Sequence, residues 1–354
     1  MRRALLATAL LLACATARRP APGDAGVTFP PDAPARSALD AELAGKNDEE
    51  LLAIGTAAAG AAGPDDDARA AAAFAALADR YPRSPHVPRA LLGAGAAYAR
   101  QGEWRLALER FRALEARGGP ESLEGAFRAA EAHYRLDDLP DARATLERLL
   151  ARPELPAAAR VRALAERGVV ELEAGKPEQA EATLREALAA YAAASATERL
   201  APGSAAQALF YLGELRRAAL LAAPLDPARA DAGALAAELE RKSALLLAAQ
   251  EEYLAAIRLG DERWAVAAGY RVGELYDALR EQVLEAPLPP GLDDAQAASY
   301  RAELRRQVRV LAAKAMTAYE ETLELARRAG VEDVRFLADA ASSLDRLRAT
   351  LAAE

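Results

Sequence analysis

The clearest pattern of apolar and polar residues lies in residues 90–114, ALLGAGAAYARQGEWRLALERFRAL. Its apolar positions follow helical spacing on both sides of Gly102, so the stretch predicts two short helices joined by a turn at that glycine. Small residues at Gly95 and Ala107 would let the two backbones approach closely, whereas Tyr98 and Phe111 would fill the space between this pair and the next. The stretch therefore predicts a helix hairpin that is one unit of a repeat.

The same hairpin pattern recurs along residues 48–200. The alanine of the second helix falls at Ala70, Ala107, Ala142 and Ala180, in steps of 37, 35 and 38 residues. The hairpin at residues 90–114 contains a Gly, a Tyr three residues later, and then Ala and Phe in the second helix. This order resembles the consensus of the tetratricopeptide repeat (TPR), whose period is about 34 residues. This resemblance implies an all-α fold, a right-handed α-solenoid of helix-turn-helix units, with residues 48–200 as the TPR array.

Residues 201–354 depart from this spacing in two units that resemble each other. Gly213 and Gly273 are each followed by Glu-Leu and later by an Ala-Pro-Leu break, and the alanines of the second helices arrive only at Ala249 and Ala315. Prolines in the breaks end the first helices. We therefore expect expanded TPR-like repeats whose long second helices protrude beyond the edge of the solenoid. The apolar spacing in residues 332–351 predicts a final helix that caps the array.

Composition supports a helical fold and argues against one class of partner. Hydrophobic residues make up 52% of the chain but aromatic residues only 5%, and the excess is alanine, which favours helix. The formal net charge is -8, and loss of Arg2 and Arg3 with a leader would make it -10. Nucleic-acid binding needs a basic stripe along one face, so this dispersed acidic balance predicts no nucleic-acid partner.

The first residues predict a signal peptide. Arg2 and Arg3 precede an apolar run, residues 4–13, that is too short to span a bilayer as a helix. The tetrapeptide Leu11-Leu12-Ala13-Cys14 resembles the bacterial lipobox, and this resemblance implies removal of residues 1–13 and lipidation of Cys14. Because Cys14 is the only cysteine, no internal disulfide can form, and lipid attachment explains the lone thiol.

The residues after the cysteine bear on localisation. Residue 15 is Ala rather than Asp, which by resemblance to well-studied lipoproteins indicates a lipid anchor in the outer membrane, facing the periplasm. Residues 14–47 are rich in Pro, Ala and Arg without a helical period, and predict an extended flexible tether. Cleavage after Ala17, which would release a soluble periplasmic protein, is the alternative to lipidation.

Two segments resemble particular groups of TPR lipoproteins. Residues 74–84, which end in Tyr-Pro-Arg-Ser, resemble the opening repeats of outer-membrane lipoproteins of the barrel-assembly and cell-division-coordinator type. The segment WAVAAGYRVGELY at residues 264–276, with the APLPP break after it, resembles TPR lipoproteins of gliding, predatory deltaproteobacteria. Some of those are linked to the envelope motility apparatus, so the resemblance implies a component of an envelope machine without naming the machine.

The sequence offers little for catalysis or metal binding. Its two histidines, His86 and His133, have no partner cysteine and no spaced carboxylate pair for a metal, and neither belongs to a nucleophile motif. No Gly-rich phosphate loop is present, and Gly118-Gly119-Pro120 is typical of a turn between repeats. We therefore expect no enzyme activity, no metal, no cofactor and no small-molecule substrate.

A binding groove is the better candidate site. The TPR resemblance implies that first helices line a concave face, into which positions two, five, nine, twelve and thirteen of each repeat point. Position five is aromatic in three units, and aromatic and Arg side chains are common anchors for a helix or an extended peptide. For each aromatic, packing against the neighbouring helix is the alternative. The groove candidates are Arg89, Leu92, Arg100, Phe127, Glu131, Tyr134, Arg135, Arg162, Phe210, Glu214, Arg217, Tyr270 and Glu274.

These features predict a non-catalytic, lipid-anchored TPR scaffold that binds protein or peptide partners in a cell-envelope complex, with gliding motility as one candidate process. Two alternatives stay open: a component that assists the assembly of outer-membrane barrel proteins, and a soluble periplasmic peptide-binding protein. Pro-rich segments bind aromatic grooves, so the tether itself is also a candidate occupant of the groove.

Overall fold

A computed structural model describes residues 39–61, 63–225, 232–332 and 334–353, except for the side chains of residues 232–236, 334–335 and 353. The described residues contain helices and turns and no strand, so the predicted all-α fold is confirmed. The helices are α1 Asp48–Ala61, α2 Pro64–Arg80, α3 Val87–Arg100, α4 Trp104–Arg117, α5 Ser122–Arg135, α6 Leu139–Leu150, α7 Ala157–Glu173, α8 Pro177–Ser195, α9 Gly203–Ala222, α10 Ala232–Arg258, α11 Glu262–Glu285, α12 Asp294–Ala329 and α13 Val334–Ala353.

The chain forms two compact units. Unit 1 comprises residues up to Pro156 together with Val169–Lys176, and unit 2 comprises Ala157–Gly168 together with Pro177–Glu354. The division falls within α7, whereas the change from regular to expanded spacing in the sequence falls near residue 200. The two boundaries differ because one follows the packing of helices and the other follows the repeat signature.

Unit 1 is built from helix hairpins that stack in chain order. Consecutive helices within the set α1 to α6 pack against each other, and α1 also contacts α3, so first helices of neighbouring repeats meet. The second-helix alanines Ala70, Ala107 and Ala142 are fully buried. A Cβ placed on Gly95 would lie 2.3 Å from the Phe111 ring, so the small residue at this position is what lets α3 and α4 pack closely.

The turns inside the hairpins need left-handed backbone. Gly102 has φ +79° and Asp137 has φ +63°, and Asp137 is the one non-glycine residue with positive φ among the described residues. Gly and Asp are among the residues that adopt this conformation at lowest cost. The sequence predicts both turns, with Asp137 in the place where the neighbouring repeats carry Gly.

The fold begins earlier than the sequence predicts. Residues 39–43 are helical, and Leu43 is 1% exposed in the core of unit 1. Asn47 and Glu50 then exchange hydrogen bonds at the start of α1, each side chain accepting from the backbone N–H of the other, at 2.9 Å in both cases. The predicted tether, 14–47, is therefore too long at its C-terminal end, because Leu39 and Leu43 lie four residues apart and bury one face. Residues 1–38, including Cys14, lie outside the described residues.

Unit 2 contains two long hairpins followed by a last helix. Helices α9 and α10 have 20 and 27 residues, and α11 and α12 have 24 and 36. Gly213 packs on Tyr253 and Gly273 packs on Tyr319, the same contact of glycine with aromatic ring that joins α3 and α4. Helix α13 packs on α12 and also contacts α11. Among the described residues, no helix is both long enough and apolar enough to cross a membrane.

Candidate functional site

The groove candidates of unit 1 differ widely in accessibility. Arg89 and Arg100 on α3 are exposed and Leu92 is half-buried, so this helix presents a basic and partly apolar face to solvent. Arg100 Nε donates to Asp67 Oδ1 at 2.7 Å, and Arg89 makes a long contact of 3.4 Å with the Thr56 hydroxyl.

On α5 the candidates are held by neighbouring side chains. Glu131 accepts from Arg128 Nη1 at 2.9 Å, and the half-buried Arg135 lies 5.5 Å from the centre of the Trp104 ring. Tyr134 is buried. Glu131, Tyr134 and Arg135 therefore also have packing or hydrogen-bonding roles within unit 1.

The three aromatic residues at position five lie inside the protein. Phe127, Phe210 and Tyr270 are 2%, 1% and 7% exposed, so their rings offer almost no surface to a partner in this conformation. Phe210 lies 5.1 Å from Trp264, and Tyr270 lies 5.6 Å from Phe336, measured between ring centres. The Phe210 ring therefore packs against an aromatic residue of the next helix hairpin, and the Tyr270 ring against one of α13. A binding role for these aromatics stays a prediction.

In unit 2, four groove candidates gather around one further residue, Arg271. Arg271 Nε lies 3.0 Å from Glu214 Oε1, and its Nη1 donates to Glu274. Arg217 Nη2 donates to Glu214 Oε2 at 3.1 Å. We call Glu214, Arg217, Arg271 and Glu274 the α9–α11 charge cluster. It holds two carboxylates and two guanidinium groups, so its net charge is zero. Tyr270, the fourth candidate, precedes Arg271 on α11, and the Arg271 guanidinium lies 5.7 Å from its ring.

The charge cluster is partly buried, and the pKa values of its two arginines, Arg217 and Arg271, are raised. Burial alone would lower the pKa of Arg271, but the carboxylates of Glu214 and Glu274 outweigh it, and the pKa is raised. Burial and the charge of Glu214 raise the pKa of Tyr253, whose hydroxyl donates to Glu214. At neutral pH the arginine is therefore charged and the phenol neutral, so every contact pairs a donor with an acceptor.

The groove candidates predicted from the sequence omit Arg271, a member of this cluster, and Tyr253, whose hydroxyl donates to Glu214. Arg271 occupies a position that the consensus does not assign to the groove, and Tyr253 belongs to a second helix. A signal was nevertheless available, because Gly-Glu-Leu recurs at Gly213 and Gly273 and places Glu214 and Glu274 at equivalent positions of α9 and α11. The last groove candidate, Arg162 on α7, pairs with Glu166 at 2.8 Å.

The structure also brings His133 near two carboxylates, which the sequence does not predict. His133, Asp138 and Asp141 have potential ligand atoms within 4.8 Å of one another. His133 Nε2 lies 2.9 Å from Arg112 Nη2, and a guanidinium can only donate, so Nε2 accepts and the proton is on Nδ1. That proton points to Asp138 Oδ2 at 3.1 Å, which leaves no ring lone pair for a metal. Hydrogen bonding explains this cluster, and the expectation of no metal site stays a prediction.

The comparison with protein families agrees with the repeat pattern. The family model described as "Tetratricopeptide repeat" matches residues 124–154, which cover most of α5 and all of α6. No curated protein matches the chain. Among solved structures, a tetratricopeptide repeat protein from Parabacteroides merdae has 13% sequence identity and a TM-score of 0.40, and the alignment covers 89% of this chain and 99% of that one. The family match supports a TPR protein.

Proposed function

We propose that this chain is a non-catalytic TPR scaffold, anchored by a lipid on Cys14 in the outer membrane, that holds protein components of an envelope complex together. One observation carries the scaffold role: helix hairpins recur in both units, the hairpin at residues 124–154 matches the tetratricopeptide repeat, and such repeats bind protein or peptide partners. The anchor and the envelope location rest on the lipobox resemblance of residues 11–14.

The first helix of the second repeat supplies the accessible part of the proposed groove. Arg89 and Arg100 are exposed at the two ends of α3, and the half-buried Leu92 lies between them. An arginine can donate to carboxylates or backbone carbonyls of a peptide, while Leu92 gives it an apolar contact. In unit 2, Arg217 and Glu274 are the accessible members of the α9–α11 charge cluster, with side chains 12% and 28% exposed.

The anchor is tested by comparing the native protein with Cys14→Ser. We expect the native protein to take up a metabolic lipid label and to fractionate with the outer membrane, and the variant to lose both properties. If the native protein is unlabelled and soluble, the anchor is refuted and cleavage after Ala17 is supported. A label that survives the substitution would place the lipid on another residue.

The groove is tested separately by photo-crosslinking in cells. A photoreactive amino acid at Leu92 should capture a partner, whereas the same amino acid at Leu106, which is 39% exposed on the second helix α4, should not. Mass spectrometry then identifies the partner. Motility proteins support the motility assignment, and barrel proteins or their assembly machinery support the alternative. Equal capture from both positions, or catalytic activity of the purified chain that one substitution abolishes, would refute the scaffold groove as proposed.

A further inference from the structure

Helix α12 carries three exposed arginines on one side of its N-terminal half. Arg301, Arg305 and Arg309 are spaced four residues apart, so consecutive members are separated by about 6 Å along the helix. Within the part of the chain that the structure describes, none of the three has a hydrogen bond or an ion pair. We call these residues the α12 arginine stripe.

Other arginines of the same helix are paired. Arg306 contacts Glu303, and Arg327 and Arg328 both contact Glu324. By contrast, every position three or four residues from a stripe arginine is Ala, Leu, Val or Arg. Like charges four residues apart repel one another on a helix. The stripe is therefore a concentration of uncompensated positive charge in a chain whose net charge is -8.

The stripe lies where α12 is no longer covered by α13. Arg348 of α13 pairs with Glu320 of α12, and the short connection between the two helices makes them antiparallel. Because both helices rise equally per residue, the end of α13 lies level with about Ala315. The buried residues of α12 begin at Val308, and Ala298 and Ala302 beside the stripe are exposed and small. A second backbone can therefore approach α12 closely along this section.

We propose that the α12 arginine stripe binds an acidic helix of a partner protein, one whose carboxylates repeat at the same spacing of four residues. A carboxylate opposite each arginine would form up to three ion pairs, and the exposed alanines would let the two helices pack side by side. This inference deepens the proposed scaffold role and relies on it only for the assumption that the partner is a protein.

Two other anionic partners fit the surface less well. Membrane-surface helices combine basic residues with large apolar ones. Among the described residues of α12, Val310 is the one large hydrophobic residue that is exposed, and Tyr300 is half-buried. Nucleic acid is contacted through several phosphates by most of its binding proteins, and the acidic remainder of this chain would repel a polyanion. A short acidic helix, by contrast, needs a contact surface no longer than the α12 arginine stripe.

The test measures binding of designed helical peptides to the purified full chain by fluorescence anisotropy at low and physiological salt. One Ala-rich peptide carries three Glu at i, i+4 and i+8, and a second has the same composition with the Glu residues on different faces. The binding-site variant is Arg301→Gln, Arg305→Gln, Arg309→Gln. The matched control is Arg83→Gln, Arg105→Gln, Arg258→Gln, which removes the same charge from exposed arginines that also lack a described partner.

We expect the peptide with aligned Glu residues to bind more tightly than the other, and the stripe variant to weaken it about tenfold, since three exposed ion pairs are lost. The control variant should bind as the native chain does. Equal weakening by both variants, equal binding of both peptides, or no binding would overturn the proposal. It would also be overturned if phosphatidylglycerol vesicles or a single-stranded oligonucleotide, but not the peptide, bound through the stripe. None of these outcomes depends on Cys14 or on the groove, so the scaffold proposal is tested independently.

Discussion

Gly95 shows how a single small residue determines the distance between two helices. A Cβ at this position would lie 2.3 Å from a ring carbon of Phe111, and the corresponding distances are 2.7 Å for Gly55 to Phe74, 2.5 Å for Gly213 to Tyr253 and 2.4 Å for Gly273 to Tyr319. These glycines have no left-handed backbone angle. They are therefore required by the ring that packs on them and not by a turn.

We expect Gly95→Ala to destabilise the protein by about 1–2 kcal/mol, because overpacking a well-filled core costs more than the gain in helix propensity from Gly to Ala. The control is Gly60→Ala on α1, where an added Cβ would have no neighbour within 4 Å. That change should stabilise by about 0.5 kcal/mol. Urea unfolding of both variants checks the pair, and a destabilised Gly60→Ala or a neutral Gly95→Ala would contradict the steric explanation.

The hairpin elements are predictable from the sequence to the extent that local pattern determines them. The buried alanines, the close approach of the helices at Gly95 and the turn at Asp137 follow from repeat spacing and backbone chemistry. The burial of the predicted groove residues does not follow from these local features. Tyr270 belongs to the predicted groove, but Phe336 of α13 packs on its ring, and the repeat consensus contains no information about that helix.

The candidate site was also predictable only in part, because the repeat consensus does not say which helices pack on one another. Glu214 and Glu274 are identified by the recurring Gly-Glu-Leu, yet their common partner Arg271 follows from how α9 packs on α11. Likewise the proximity of His133 to Asp138 depends on the geometry of one turn. Neither contacts between repeats nor the detailed geometry of a turn is encoded in the spacing of a single period of the sequence.

Besides the contact of Phe336 with Tyr270, one arginine joins the cap helix α13 to α11. Arg346 donates to Asp277 Oδ2 at 2.7 Å and to Glu281 Oε1 at 2.8 Å. The Asp277 side chain is 4% exposed and also accepts from Arg280 Nε at 3.1 Å. Removing this buried carboxylate would take one of two carboxylate partners from both Arg280 and Arg346, which would keep the more exposed Glu281.

We therefore expect Asp277→Ala to cost about 3 kcal/mol of stability and to increase hydrogen exchange in α13. The control is Arg348→Ala on the same helix, which breaks an ion pair with Glu320 in which both side chains are about half exposed, at 52% and 48%. Its expected cost is below about 0.5 kcal/mol. If the two substitutions cost the same, or if α13 exchanges no faster in Asp277→Ala, the buried pair does not hold the cap.

The helices of this protein contact one another in the order in which they follow along the chain. Within each unit the described helices pack against the next helix or the next but one, and the chain divides into two compact units. In repeat proteins of this kind, stability is approximately a sum of repeat terms and nearest-neighbour terms, so a local defect need not spread to distant repeats. A single unfolding free energy would then describe this chain poorly.

Two matched substitutions test this locality. Gly95→Ala in unit 1 and Gly273→Ala in unit 2 introduce the same atom against an aromatic ring, at 2.3 Å from Phe111 and 2.4 Å from Tyr319. Because each defect raises the free energy of its own hairpin and its neighbours, we expect Gly95→Ala to speed hydrogen exchange in α3 and α4 and to leave exchange in α11 and α12 unchanged. We expect the reverse for Gly273→Ala.

Faster exchange throughout the chain in both variants would show instead that the described helices unfold as one cooperative unit. In that case a ligand bound in one unit would stabilise the other, whereas under local unfolding each binding surface would gain protection only in its own repeats.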